Sequence, residues 1–340
     1  MKDKTYNVAI VGATGVVGEA FLELLKERNF PIEEIHAIAS EKSAGKNVMF
    51  GNKKLVCKNV SDFDFSGVDF AFFSAGRDVS REFAPIAAAK GCMVIDNTSE
   101  FRYDDDIPLI VPEVNSQLLA ELPDRRIIAN PNCSVVQLAV AINPLVIEIG
   151  VERINVATYQ SVSGAGNAAI EELARQTASL LNGQDAVVET LPQQIAFNVI
   201  PHIDTFEENG YTREEMKMIL EVQKIFSDKT IGVNPTAVRV PVFYGHSEAV
   251  NVELKQSTNL EEIKELLLGA PGVAFMDIDY ATPVTHAANQ EPVFVSRLRQ
   301  DLSHPNAVNM WVVSDNVRKG AALNAVQIAE LLVNRDRVMH

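Results

Sequence analysis

Near its start the chain runs Asn7-Val8-Ala9-Ile10-Val11 and then Gly12-Ala13-Thr14-Gly15-Val16-Val17-Gly18. A short apolar strand passes through a glycine turn into an amphipathic helix with Ala20, Phe21, Leu24 and Leu25 on one side. This succession constrains the fold more than any other stretch, because it is how a dinucleotide-binding domain opens. Glycines let the backbone turn tightly and approach a pyrophosphate seated on the helix N-terminus. The spacing is GxxGxxG and not the commoner GxGxxG, so an ordinary glycine-rich strand-to-helix turn is the competing reading.

The next strand, Ile35 to Ala39, ends in Ser40-Glu41-Lys42-Ser43. An acid at this point commonly holds the ribose of NAD, whereas the 2′-phosphate of NADP needs hydroxyl and cationic donors. Ser40, Lys42 and Ser43 suit NADP. Glu41 can turn outward or bind a ribose, and a plain solvated loop is the other alternative. Strands at Val68 to Phe73 and Met93 to Asp96, with a helix from Arg81 to Lys90 between them, predict a doubly wound parallel sheet. Ligands then fall outside the strands' carboxyl ends, near Ser74-Ala75-Gly76 and Asn97-Thr98-Ser99. In the acidic loop beyond, Arg102 is either a salt-bridge partner or a fork for phosphate.

A further strand, Ile127 to Ala129, runs into Asn130-Pro131-Asn132-Cys133-Ser134 and then a buried helix over Val135 to Ile142. That puts one cysteine on a strand-to-helix corner, where the positive end of the helix dipole favours the thiolate. The bland reading is a small core residue. Cys57 and Cys92 read as structural. Three cysteines at wide spacing, with no CxxC and no metal-like spacing to histidine, predict a reducing compartment and no metal site.

After Cys133 the pattern changes. The strand Ile154 to Tyr159 leads into Gln160-Ser161-Val162-Ser163-Gly164-Ala165-Gly166 and a helix from about Ala168 to Leu181, and Asn182 to Glu208 reads as loops. Thr212 and Glu215 have the spacing of a capping box. Glu214 and Lys217 lie three apart on one helix face, a pattern usually explained by a surface ion pair. Arg239 sits inside the apolar strand Ala237 to Val242, and burying a guanidinium is costly unless it faces an anion. His246, between Gly245 and Ser247 at the mouth of another strand, is placed as a general base or as a structural residue. Strands at Ala249 to Leu254, Val293 to Leu298 and Val308 to Val313 predict a mixed, largely antiparallel sheet. The last helix, from Ala321, is apolar enough to pack back on the first domain.

With 45 acidic against 30 basic residues in 340, the formal charge is -15, which argues against nucleic acid or an anionic membrane as partner. Met1 to Tyr6 lead into a strand without a signal-like apolar run, and nothing approaches ~18 apolar residues. The expectation is a cytoplasmic protein of two α/β domains: a Rossmann-type domain at 1–132 completed by 321–340, and a catalytic and dimerisation domain at 133–320.

As an ordered set, Gly12 to Gly18, Asn130 to Ser134, Gln160 to Gly166, Glu214 to Lys217, Arg239 with His246, and Asp315-Asn316-Val317-Arg318-Lys319-Gly320-Ala321-Ala322 closely resemble the aspartate-semialdehyde dehydrogenases over essentially the whole length. The resemblance implies that Cys133 is the nucleophile, His246 the acid/base and Gln160 the residue that orients the substrate. It implies Arg239 for the substrate's carboxylate, Glu214 for its ammonium group, Arg102 and Lys217 for phosphate, and Asn132, beside the nucleophile, as a further substrate-binding residue. Gly12, Thr14, Gly15, Val16, Val17, Ser40, Lys42, Ser43, Ser163, Gly164 and Asn316 would hold NADP. The substrates would be aspartyl phosphate or aspartate semialdehyde with phosphate, and the assembly a homodimer or tetramer. N-acetyl-γ-glutamyl-phosphate reductase is the nearest alternative, although Glu214 would have no ammonium group to face there. A catalytically silent NADP-binding regulator is the alternative from another class.

Overall fold

The computed structural model of the chain describes residues 4–339, with side chains up to residue 335. Met1, Lys2 and Asp3, read above as a leaderless start, and His340, the expected end of the last helix, lie outside the described residues. The chain divides into two compact units, Met1–Asn132 with Ala321–His340, and Cys133–Gly320.

In the first unit, β1 (Tyr6–Val11), β2 (Ile32–Ala39), β5 (Lys58–Asn59), β6 (Phe70–Phe73), β7 (Met93–Asp96) and β8 (Ile127–Ala129) form one sheet in the order β5-β2-β1-β6-β7-β8. Every neighbouring pair is parallel. A parallel sheet is covered on both faces, so its strands read as unbroken apolar runs; Phe70-Ala71-Phe72-Phe73 is buried throughout. Helix α1 (Val16–Glu27) buries Ala20, Phe21, Leu24 and Leu25. Helix α2 (Arg77–Ala89) begins a turn before the expected Arg81, directly after Gly76 at φ 95°, and a short helix, α3 (Pro112–Asn115), follows β7. A short antiparallel hairpin, β3 (Asn47–Phe50) with β4 (Lys53–Val56), stands beside the sheet. The terminal helix Leu323–Met339 belongs to this unit, and Arg28 at the end of α1 grips its Glu330 through two bonds of 2.8 Å. The chain leaves β1 on one side to β2 and later returns on the other to β6. That reversal opens a crevice at the carboxyl ends of these strands.

In the second unit, β9 (Val151–Gln160), β10 (Gly232–Arg239), β11 (His246–Leu254), β12 (Val273–Met276), β13 (Val293–Gln300) and β14 (Ala307–Ser314) are ordered β10-β9-β11-β14-β13-β12. The three central pairings are antiparallel and the two outer ones parallel. Pro235 is accommodated because β10 is an edge strand. The strand ends at Arg239, so Pro241, expected within it, lies beyond. Helix α4 (Cys133–Glu148) is buried along most of its length. Helices α5 (Asn167–Leu181), α6 (Arg213–Ile225) and α7 (Leu260–Leu268) complete the unit. The capping box of α6 is formed: Thr212 Oγ1 accepts from the Glu215 N–H, and the Glu215 carboxylate accepts from the amides of Thr212 and Ala237. Residues 182–208 hold no helix or strand beyond isolated bridges. Among the described residues no helix is long and apolar enough to cross a membrane.

Candidate active site

The first unit carries a cavity of about 240 Å³ at the carboxyl ends of β1, β2 and β6, lined among others by Gly12, Thr14, Gly15, Ser40 and Ser74. Its glycines have separate reasons. Gly12 has φ +96°, and a β-carbon there would stand 2.9 Å from the Ser74 backbone. A β-carbon on Gly18 would lie 2.0 Å from the Gly12 carbonyl oxygen, so only glycine lets α1 start this close to the turn. At Gly15 the nearest atom would be 3.4 Å away, an ordinary contact. The fold therefore does not demand glycine at 15; its missing side chain leaves room over the N-terminus of α1, which Gly15 caps without a side-chain bond. A backbone cradle of this shape fits a nucleotide phosphate. Ser40 lines the cavity, while Glu41, Lys42 and Ser43 form the exposed to half-buried turn just beyond.

Arg102, also in the first unit, is buried. Arg125 takes Asp104 and Asp106, at 2.7 and 3.2 Å. The Arg102 guanidinium donates to the carbonyls of Asn130 at 2.9 Å and Asn97 at 2.8 Å. It is thereby tied to the chain just ahead of Asn132 and Cys133, and Asn132 is itself buried. Asn130 is fixed a second time, its side-chain oxygen accepting from Asn324 at 2.7 Å.

Within the second unit, Cys133 is the first residue of α4 and half-buried, whereas Cys57 and Cys92 are buried. Arg239, at the end of β10, is buried and feels the charges of Glu214 and Cys133. Burial pulls its guanidinium below the ordinary value, and these two groups work against that. His246 opens β11 and has no exposed surface. Burial, reinforced by Arg239, lowers its pKa to about 3. Its Nδ1 receives the Ser161 N–H at 3.1 Å and also touches Ser161 Oγ at 3.1 Å. Ser161 further binds Arg239, whose Nη1 donates to its carbonyl at 2.8 Å. Gly164 lies between the two: a β-carbon there would meet Arg239 Nη1 at 3.0 Å and His246 Nε2 at 3.3 Å.

Behind the imidazole, Asn316 Oδ1 accepts from the Gly245 amide at 2.9 Å and from the hydroxyls of Ser161 and Ser163 at 3.0 and 3.1 Å. Ser163, Gly164 and Asn316, expected around a cofactor, are thus gathered around His246, and the Asn316 carboxamide is occupied there.

Glu214 and Lys217 are not a surface pair. Glu214 is 5% exposed, accepts from Gln160 Nε2 at 3.3 Å and from Lys217 Nζ at 3.0 Å, and its charge also reaches Arg239 and His246. Lys217 is bound a second time by Asp204 at 2.8 Å. Burial opposes the Lys217 charge, but Glu214 and Asp204 outweigh it and hold the ammonium above its ordinary value. Asp204, in the aperiodic stretch before α6, carried no sequence signal. Nor did Glu248, two residues after His246 on the same face of β11 and fully buried. Gln137, one helical turn after Cys133, acts on it, but burial outweighs this and raises the Glu248 carboxyl well above its ordinary range. Among the described residues no group of three or more His, Cys, Asp and Glu is placed to hold a metal ion.

Two family models match in order: "Semialdehyde dehydrogenase, NAD binding domain" at residues 7–122 and "Semialdehyde dehydrogenase, dimerisation domain" at 142–319. Aspartate-semialdehyde dehydrogenase 2 of Vibrio cholerae is 58% identical over 329 residues, 96% of this chain and 98% of its own. The aspartate-semialdehyde dehydrogenase of Shewanella violacea is 56% identical over 330 residues, again 96% of this chain and 98% of its own. Among solved structures, aspartate semialdehyde dehydrogenase II of Vibrio cholerae complexed with ASA aligns at a TM-score of 0.96 and 57% identity, covering 97% of this chain and 99% of that one. On this agreement of sequence and structure the chain belongs to the aspartate-semialdehyde dehydrogenase family of oxidoreductases.

Proposed function

We propose that the chain reduces L-aspartyl 4-phosphate to L-aspartate 4-semialdehyde, reversibly, through a thioacyl intermediate on Cys133. The step would serve biosynthesis of lysine, threonine, methionine and isoleucine, in the cytoplasm and as a homodimer. The observation that carries this reading is that Arg239 is buried and feels the charges of both Cys133 and Glu214. A small zwitterion needs an anchor for each ionic group, and Arg239 and Glu214 offer both. Arg239 grips the α-carboxylate, Glu214 faces the ammonium group and Gln160, bonded to Glu214, orients the substrate. Lys217 is a cation suited to phosphate, and so, in the first unit, is Arg102.

NADPH, when bound, supplies the hydride. The residues for it on the first unit are Gly12, Thr14, Gly15, Val16 and Val17 at the turn, with Ser40, Lys42 and Ser43 for the 2′-phosphate. In the biosynthetic direction the Cys133 thiolate attacks the acyl phosphate carbonyl, phosphate leaves, and the thioester is reduced and released as the aldehyde. His246 serves the reacting oxygen. The test is phosphate-dependent reduction of NADP and, separately, NAD with L-aspartate 4-semialdehyde against N-acetylglutamate 5-semialdehyde. Turnover of the free amino acid with NADP preferred is expected; preference for the acetylated substrate overturns the reading.

A further inference from the structure

Asn130 opens the corner that carries the thiol, yet the reading above gives it no task. It is buried, and each of its polar groups is engaged inside the first unit. Its N–H donates to the Asp96 carbonyl at 2.8 Å, and its own carbonyl accepts from Arg102 Nε at 2.9 Å. Its side-chain nitrogen donates to the Pro131 carbonyl at 3.3 Å, and its side-chain oxygen accepts from Asn324 Nδ2 at 2.7 Å. Asn324 is the second residue of the terminal helix and is fully buried. The two hydrogens of its amide divide between Asn130 and the Ile110 carbonyl, 3.0 Å away. The Ile110 N–H donates in turn to the Ala129 carbonyl at 3.1 Å, so Asn324 binds the end of β8 both directly and through the segment beside it. Bonded at all four groups, Asn130 is held in one orientation.

We propose that Asn324 is a positioning residue for the Cys133 thiol and acts through Asn130. The inference rests on the reading of Cys133 as the nucleophile. Pro131 holds its own φ at about −65°, and a residue ahead of proline is confined to extended backbone. The corner is therefore stiff, and it passes a displacement of Asn130 on to Cys133, three residues later, instead of absorbing it. Cys133 depends on that placement because the first turn of α4 aims its N–H groups and the positive end of its dipole at the thiolate, an influence that fades within one turn. The same stretch of chain secures the thiol a second time. Gly320, four residues before Asn324, packs against Cys133, where a β-carbon would stand 2.8 Å from the cysteine Cβ. Arg102 completes the clamp, its guanidinium joining the Asn130 carbonyl to that of Asn97 at 2.8 Å. Asn324 thus sets where the thiolate stands and leaves the substrate contacts to other residues.

The test is made on the full chain with Asn324→Ala, Asn130→Ala and the double variant. Alkylation of Cys133 by iodoacetamide at neutral pH, without substrate, is followed by mass spectrometry of the Cys133 peptide. Each single variant is expected to react at least about threefold more slowly, the size of a helix-dipole effect on the thiolate population. The double variant is expected to react no more slowly than the slower single one, because both changes break the same bond. A smaller fall in Asn324→Ala, or a rise, overturns the proposal, and a double variant slower than both singles overturns the action through Asn130. Val333→Ala empties buried space about 13 Å further along the same helix and is expected to react like the unaltered chain. An equal slowing there would make the effect one of general stability and overturn the proposal. In turnover of L-aspartate 4-semialdehyde with phosphate and NADP, kcat of Asn324→Ala is expected to fall by about tenfold or more with KM for NADP unchanged. A smaller fall overturns the proposal. If the unaltered chain does not turn this substrate over, the substrate reading fails and the alkylation still decides. If Asn324→Ala does not fold, Asn130→Ala, which keeps the bonds to Asp96 and Arg102, carries the same predictions.

Discussion

Gly320 lies against Cys133 so closely that a β-carbon on the glycine would stand 2.8 Å from the cysteine Cβ and 3.2 Å from its Cα. The second contact is with backbone at the start of α4, which cannot rotate away. Gly320→Ala therefore displaces the cysteine or the turn that carries the glycine. A shift of about 1 Å in a reacting group costs on the order of 10²-fold in rate. The expected outcome is a fall in kcat of that order with the secondary structure retained, read by steady-state kinetics beside circular dichroism. Unchanged kcat would show that the contact relaxes at no cost to the thiol.

The glycine turn separates folding from binding. Gly18→Ala forces a β-carbon into the Gly12 carbonyl, at 2.0 Å, and should lower the melting temperature strongly. Gly15→Ala meets nothing closer than 3.4 Å and should leave stability within about 1 kcal/mol. Because Gly15 lines the cavity, the same change is expected to weaken NADP by tenfold or more, measured by titration calorimetry. Equal losses of stability in the two variants would contradict this division.

How much of this was legible beforehand follows from what each residue does. Met93 to Asp96 and Ile127 to Ala129 read as strands because they are buried on both faces, and the helix at Val16 because its apolar positions repeat on one side. The hairpin β3–β4 escaped notice because each strand buries only one side chain, Val48 or Leu55, among exposed or half-buried residues. Helix α7 buries just Ile263 and Leu267 among charged residues. In the site, residue types were readable and partnerships were not. Spacing alone makes Glu214 and Lys217 a pair, but only the packing of α6 buries them, and Asp204 reaches Lys217 from a stretch with no periodicity. Ser161 acts through its main-chain N–H and C=O, which any residue possesses and no sequence displays.

Glu248 should reveal itself through pH. In the unfolded chain a glutamate ionises near 4.5, whereas burial in the fold keeps this carboxyl protonated to well above that value. Below 4.5 both states hold the proton and its contribution to stability is complete. As pH rises towards the folded value, the unfolded state releases the proton first, and the native state loses at most about 1.4 kcal/mol per pH unit. Glutamine has no proton to release. The melting temperature of Glu248→Gln relative to the unaltered chain is therefore expected to climb between about pH 5 and about pH 8. A constant difference would mean that Glu248 is ionised in the fold.

Glu214 is where substrate choice is expected to reside. Its carboxylate accepts from Gln160 and Lys217 and acts on Arg239, so under the proposed reading it would both supply the anion for an ammonium group and steady the cation that grips the carboxylate. Glu214→Gln keeps the shape and removes the charge. Asp204 still neutralises Lys217, which limits the damage to the fold. A hydrogen bond to a charged group is worth about 1.5–3 kcal/mol, or roughly 10- to 150-fold. The free amino acid should lose that much in kcat/KM, chiefly through KM, because the anchor acts in the ground state as well as the transition state. The acetylated aldehyde has no ammonium group to lose and should change little. Measured together, the two substrates give a ratio that falls by the same factor. A ratio that stays fixed while both rates drop would make Glu214 a structural partner of Lys217 and would place recognition of the ammonium group elsewhere.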